Sequence, residues 1–506
     1  MKIVQLATEF APLAKVGGLG EVLLGLSREL TRIGEQVEVI LPKYDFIDLK
    51  KISHLKLEVP DFKCLESGNL HANAMWSGLA EDCHIHLLEA RHPAGYFHRG
   101  KIYGSDDDVA RFLYFSRACV EYLKLKNEPI DILHLHDWHV SGAALLVKDL
   151  FHLPIKSIVL TIHNAEYQGQ CAPWNLDAIG LKGSDYLVKE KLQDDQPNQP
   201  NQSGTINLLK GGIVYSDAIV AVSPTYAKEI VSTDTGHHID KTFRKYQSKL
   251  SGILNGIDQK IWDPKNDPIL PKPYSPESSI KVILEAKQAA REAIQKRFNL
   301  AKNSRPWIGS ITRLVPQKGP ALIEEGIRQT LELGGTFLLL GSSPAPKIQE
   351  HFEMVKKNYE GNNRVLFHFT YDESLSHLLY GALDFILVPS VYEPCGLTQL
   401  IAMRYGTIPI VRSTGGLKDT VFDCEDSKIP IQQRNGFTFQ QAKPADLTAA
   451  LQRAIHHFRS DPATFQAMIQ RNLRIDCSWK KPAQDYLRLY KSLTIKHAVT
   501  PSRALF

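Results

Sequence analysis

Four apolar residues in a row, Phe385-Ile386-Leu387-Val388, stop at Pro389-Ser390. After a short loop containing Glu393, Pro394 and Gly396, apolar residues return at Leu397, Leu400 and Ile401 until Gly406. A continuous apolar run reads as a strand covered on both faces, and three-to-four spacing reads as a helix. A chain built from such strand–loop–helix units is restricted to α/β folds with parallel sheets. The loop lies at the carboxyl end of a strand and the amino end of a helix, where unpaired N–H groups and the helix dipole favour an anion. Glu393 in that position fits a partner beside the anion, such as a sugar hydroxyl or a developing positive charge. From this segment alone, an ordinary solvated loop glutamate is the alternative.

The same pattern opens the chain. A strand is predicted over Lys2–Ala7. A loop with Lys15, Gly17 and Gly18 follows, then helical spacing at Leu23, Leu26 and Leu30, then a strand over Val37–Leu41. A dinucleotide fingerprint is excluded: Leu23 stands where its last glycine belongs, and the second strand ends Leu41-Pro42-Lys43 with no ribose-binding acid. Lys15 beside glycines at a helix start suits a phosphate, or is a glycine turn with a solvated lysine. Residues 50–100 alternate, as at His84–Leu88, and predict an antiparallel insertion. Asp106 and Asp108 form a D-x-D, read as acids at a helix start in preference to a metal bridge. Asp131–His139 is a short strand ending in His134, His136, Asp137, Trp138 and His139. The spacing lacks the further ligands of a closed zinc site and suits sugar hydroxyls and ring stacking better. A strand over Ser157–Thr161 ends at His163-Asn164. The Gln/Asn/Pro-rich tract 193–204 predicts a mobile surface loop. A helix from Thr205 to Gly211-Gly212 and a strand over Asp217–Val222 complete a doubly wound half.

The chain has 506 residues, too many for one typical core, and the Gly/Pro-punctuated stretch from Gly252 to Pro264 is the predicted linker. A helix over Ser279–Phe298 leads into a second series of strands at Trp307–Ile311, Phe337–Leu340, Val365–Phe369, Phe385–Val388, Ile408–Val411 and Phe437–Phe439. Arg313 and Lys318 follow the first of these, a fork and a point charge that suit a diphosphate, or two solvated cations. Gly17-Gly18-Leu19 and Gly415-Gly416-Leu417 echo one another at two helix starts. The net charge of +5 without a Lys/Arg run argues against a nucleic-acid partner. No apolar run is long enough for a membrane span, and Gln5 and Glu9 interrupt any leader core. Seven scattered Cys without C-x-x-C spacing fit a reducing cytoplasm and no zinc site.

Taken together, Lys15-x-Gly-Gly-Leu-x-Glu-Val, His136-Asp-Trp-His139, Thr161-Ile-His-Asn164, Val222-Ser-Pro-Thr-Tyr226, Gly252-Ile-Leu-Asn-Gly-Ile-Asp258, Arg313-Leu-x-x-Gln-Lys-Gly319 and Glu393-Pro-Cys-Gly-Leu-Thr-Gln399 resemble the bacterial glycogen synthases, relatives of plant starch synthases in glycosyltransferase family 5. The resemblance implies a GT-B fold, two Rossmann-like domains with a deep interdomain cleft. It implies an N-terminal acceptor and catalytic domain over 1–251, a nucleotide-sugar-binding domain over 252–480, and a last helix and tail over 481–506 that packs back on the first domain. The implied activity is retaining transfer of glucose from ADP-glucose, or UDP-glucose, to the non-reducing-end 4-hydroxyl of an α-1,4-glucan, with no metal or cofactor. By the same resemblance Lys15, Gly18, Arg313, Lys318 and Thr398, in the loop with Cys395, Gly396 and Leu397, hold the diphosphate. His163 and Glu393 contact the donor glucose, Tyr371 stacks on the base, and Tyr96, Asp137 and Asn255 line the cleft. Substrate is expected to draw Lys15 and Glu393 together. The chain departs from the family at Val16 and Glu21, usually Thr or Ser and Asp, and at Gly236-His237-His238-Ile239, where a G-x-G-L is usual. The rivals are another retaining GT-B transferase and a catalytically silent glucan-binding protein.

Overall fold

The computed structural model describes residues 1–195, 204–233, 235–370 and 372–499. Most of the predicted loop 193–204, and Tyr371, lie outside the described residues. The chain divides into two compact units, Met1–Asn255 with Trp479–Phe506, and Gly256–Ser478.

The strands of the first unit are β1 (Lys2–Leu6), β2 (Gln36–Pro42), β3 (Ser53–Glu66), β4 (Asn69–Ala80), β5 (Cys83–Arg91), β6 (Ile130–His136), β7 (Ile155–Ile162), β8 (Gln170–Cys171), β9 (Ile206–Asn207), β10 (Ala218–Ala221) and β11 (Leu250–Gly252). Nine of them form one sheet in the order β11-β10-β7-β6-β1-β2-β5-β4-β3, while β8 and β9 pair separately. The sheet is parallel from β11 to β5, and β4 alone is reversed, pairing antiparallel with β5 on one side and β3 on the other. The predicted antiparallel insertion is therefore corrected at its end: β5 joins the parallel sheet beside β2. Its alternation misled because His86 is buried, with Nδ1 3.1 Å from Glu58 Oε2, so a covered strand reads as half polar. The predicted helix end at Gly211-Gly212 is also corrected, since the helix runs Leu208–Tyr215. A Cβ on Gly212 would stand 2.4 Å from Ser141 Oγ, so this glycine serves close packing and ends nothing.

The last helix, Lys480–Val499, belongs to this first unit. Trp479, Ala483, Tyr486, Tyr490 and Leu493 share a core with Ile3, Val22, Leu26, Ile132, Val159 and Val220. Gly25 makes room for that return: a Cβ there would meet Trp479 Nε1 at 2.0 Å.

The second unit carries β12 (Trp307–Ile311), β13 (Thr336–Leu340), β14 (Val365–His368), β15 (Phe385–Val388), β16 (Ile408–Arg412) and β17 (Phe437–Phe439), all parallel, in the order β14-β13-β12-β15-β16-β17. The order runs outward in one direction from β12 and in the other from β15, so the sheet switches between them. Loops leaving the carboxyl ends of two such strands diverge to opposite faces and leave a crevice where ligands bind. No described helix is long and apolar enough to cross a membrane.

Candidate active site

In the second unit the two diverging loops carry the predicted cations and carboxylate. The loop after β12 holds Arg313, which is exposed, and Lys318. The loop after β15 holds Glu393, only 5 % exposed. Lys318 Nζ donates to Glu393 Oε2 at 2.5 Å, and Ser390 Oγ donates to the same oxygen at 2.9 Å. The solvated-glutamate alternative is thereby excluded, because Glu393 is buried, paired and oriented. Backbone contacts fix the loops to each other: Val391 N donates to Gln317 O at 2.8 Å, and a Cβ on Gly319, whose φ is +67°, would lie 2.6 Å from Pro389 O. Gly416 N donates to Glu393 O at 3.0 Å, and a Cβ on Gly416 would lie 2.1 Å from Cys395 O. The Gly-Gly-Leu echo thus has a packing role here. Cys395 is buried, Gly396 takes a φ of +76°, and Leu397 precedes the helix Thr398–Arg404. Gln399 Nε2 braces the turn on the carbonyls of Cys395 and Gly396, at 3.1 and 2.9 Å.

In the first unit, Lys15 is exposed and pairs with Glu21. Gly18 is exposed and begins the helix Gly18–Arg32. The loop's shape comes from a residue that the sequence reading passed over. Glu9 Oε2 accepts from Val16 N at 2.7 Å and Gly17 N at 3.0 Å, while Glu9 Oε1 accepts from Tyr103 OH at 2.8 Å. The signal was available: an acid set in an apolar stretch after a strand is expensive unless its oxygens are bonded.

Asp137 and His163 come together at the carboxyl ends of β6 and β7. Asp137 Oδ1 accepts from His163 N at 2.7 Å, and Asp137 sits at φ 61°, ψ −176°, a region that residues other than glycine enter at a cost of roughly 1–3 kcal/mol. Burial pushes its carboxyl up to about 7, against the lowering effect of the His163 and Asn164 N–H groups. The His163 ring meets buried His136, Nε2 to Nδ1, at 3.0 Å, and desolvation pushes His163 down to about 3. Asn255 is buried, and its Oδ1 has no partner among the described residues. Tyr96 belongs to another cluster. It is 6 % exposed, donates to Glu66 Oε1 at 2.8 Å, and stacks on His92 at 4.2 Å, so its hydroxyl is already engaged.

The histidines at the end of β6 are individually engaged and do not form a ligand set. His134 bonds Thr161 Oγ1 at 2.7 Å and Tyr490 OH at 2.8 Å, His136 bonds Gln5 and His163, and His139 stacks on Trp138. Two other groups have metal-like spacing, Glu66–His71–His92 and Cys424–Glu425–His457. In the first, His92 Nδ1 accepts from Ala94 N at 3.1 Å, which places the ring proton on Nε2, the nitrogen facing Glu66. In the second, Glu425 is held by Arg453. Neither donor set offers a ready cation site.

The chain is similar to known glycosyltransferases in both of its units. The family described as Starch synthase catalytic domain matches residues 2–245, and Glycosyl transferases group 1 matches residues 292–467. A glycogen synthase of Protochlamydia amoebophila is 41% identical over 505 residues, covering 98% of this chain and 100% of the relative. A probable starch synthase 4 of Arabidopsis thaliana is 41% identical over 506 residues, covering 99% of this chain and 48% of the relative. The structure of the catalytic domain of starch synthase IV from Arabidopsis thaliana, bound to ADP and acarbose, superposes with a TM-score of 0.93 at 41% identity, covering 98% of this chain and 99% of that one.

Proposed function

Because the chain belongs to the family of bacterial glycogen synthases and plant starch synthases, with the two-domain GT-B fold, we propose that it elongates an α-1,4-glucan with glucose from ADP-glucose, retaining the anomeric configuration. The single observation that carries this reading is the pairing of Lys318 with buried Glu393 at the switch point of the second sheet. A cation for a departing diphosphate stands there beside a carboxylate for the sugar it leaves. The ADP in the starch synthase IV structure supports the choice of nucleotide, and UDP-glucose is the competing donor.

In the proposed reaction the bond from the anomeric carbon to the phosphate oxygen breaks with its electron pair on the nucleotide. A bond forms from the same carbon to the acceptor 4-oxygen on the same face, and the acceptor's proton passes to the leaving phosphate oxygen. Lys15, Gly18, Arg313, Lys318 and the Cys395–Thr398 turn hold the diphosphate. The charge that accumulates on it in the transition state strengthens its bonds to those cations, so they accelerate the step rather than merely bind. Glu393 and His163 hold the donor glucose. Asp137 keeps the His163 main chain in place, and the open Oδ1 of Asn255 suits a hydroxyl donor. The first unit is assigned to the acceptor and residues 252–480 to the nucleotide sugar. Seven free thiols fit a reducing compartment such as the cytoplasm.

The test is glucose incorporation into glycogen from ADP-glucose and from UDP-glucose, with EDTA present. Incorporation that survives the chelator and prefers ADP-glucose supports the proposal. A folded protein inert with both donors overturns it in favour of another acceptor or a silent glucan-binding role.

A further inference from the structure

From the hydrogen bonds behind His163 we infer that Gln5 and His136 are positioning residues that fix which nitrogen of His163 carries its proton. The inference rests on the reading of His163 as a donor-glucose contact.

The relay crosses three neighbouring elements. Gln5 lies on β1, His136 at the end of β6 and His163 just after β7, with Gln5, His136 and Ser27 all fully buried. Gln5 Nε2 donates to Ser27 Oγ at 2.8 Å, which turns Gln5 Oε1 toward His136 Nε2 at 3.0 Å. A carbonyl oxygen can only accept, so His136 carries its proton on Nε2. Burial holds His136 well below its ordinary range and His163 at about 3, so each ring has one proton only. His136 Nδ1 is then a bare lone pair, and the nitrogen 3.0 Å from it, His163 Nε2, must be the donor. That leaves His163 Nδ1 as an acceptor. An acceptor there takes the proton of a sugar hydroxyl, whereas an N–H there would donate to the hydroxyl's oxygen, so the tautomer sets which way that bond runs. The orientation of one amide on β1 thus sets the polarity of a group two strands away. Second partners of a functional histidine commonly fix its tautomer in this way.

The experiment observes the ring nitrogens directly. The whole protein is labelled with nitrogen-15 histidine, two-bond proton–nitrogen correlations are recorded, and His163 is assigned by comparison with His163→Gln. In the parent protein His136 and His163 are both expected in the Nε2–H form. Gln5→Leu removes the acceptor, and both rings are expected to move to the Nδ1–H form. Its kcat is expected to fall roughly 10- to 100-fold with KM for the donor little changed. Gln5→Glu keeps an acceptor and is expected to retain the Nε2–H pattern and recover most of kcat. An Nδ1–H form of His163 in the parent protein overturns the inference even if neither Gln5 variant folds. So does a Gln5→Leu protein with unchanged spectra and kcat. If instead His163→Gln keeps full activity while the tautomers are as expected, the relay stands and the glucose-contact reading of His163 is what fails.

Discussion

Lys287 is buried on the helix Ile280–Phe298, where its Nζ donates to Thr407 Oγ1 at 3.0 Å. Desolvation lowers its pKa from the 10.5 of a free lysine to about 7, with Asp384 opposing the fall and Arg291 adding to it. Between those two values the unfolded chain binds one proton more than the native protein, so this group makes stability rise with pH. It gives no further dependence below about 7, where both states are protonated. At 1.36 kcal/mol for each pH unit the whole span is worth roughly 5 kcal/mol, and the interval from pH 7.5 to 9.5 about 2.7 kcal/mol. Lys287→Met replaces the stem with an apolar one of similar length and removes the titration. It forfeits the bond to Thr407, worth about 1 kcal/mol, and a long one to Tyr405 O at 3.5 Å, and escapes the cost of holding a lysine neutral, so it is expected to stabilise the second unit by ~1–3 kcal/mol at pH 7.5. Urea unfolding of the parent and Lys287→Met proteins at half-unit steps from pH 7 to 10 measures this, because other titrating groups cancel in the difference. The variant's advantage should shrink by about 1 kcal/mol or more for each pH unit. An advantage that stays constant across the range refutes the reasoning.

Glu393→Gln keeps the side chain's shape while removing the charge that faces Lys318, and kcat for glucose incorporation should fall at least ~100-fold with EDTA present. Glu9→Ala frees the Val16 and Gly17 N–H groups, and should raise KM for the nucleotide sugar by ~10-fold in steady-state assays without unfolding the protein. Asp137→Asn removes a group whose native pKa lies above its unfolded value. The parent protein loses stability as pH rises from about 4 to 7, and the variant should lose less, as read by melting temperature across that range. Gly416→Ala drives a methyl into Cys395 O, and should depress activity together with the second unit's unfolding midpoint.

Much of the fold was legible because parallel strands buried on both faces leave unbroken apolar runs, as at Phe385–Val388 and Trp307–Ile311. β5 was half legible: a buried histidine held by carboxylates counterfeits the alternation of an open face. At the site, Lys318 and Glu393 were visible as charges at strand ends, but their contact joins residues 75 apart in sequence and follows from the neighbouring of β12 and β15, which no local pattern encodes. Glu9, Gln5 and Ser390 were missed as functional, and His136 was read as facing sugar, because each acts on another protein group. For Gln5 and Ser390 no charge pattern or spacing marks that role.

The first unit is discontinuous in sequence, and this has a consequence for biosynthesis. Its core takes in Trp479, Tyr486 and Tyr490, so a nascent chain holding residues 1–255 lacks the side chains that cover Ile3, Val22 and Val159. The second unit is a single contiguous segment and can fold while translation continues. The order of completion on the ribosome is therefore the reverse of the order of synthesis. The amino-terminal half waits, partly open, until Trp479 to Tyr490 have been made, and a chain stalled or truncated before Trp479 presents an apolar surface to chaperones and proteases although all of its sheet has been made.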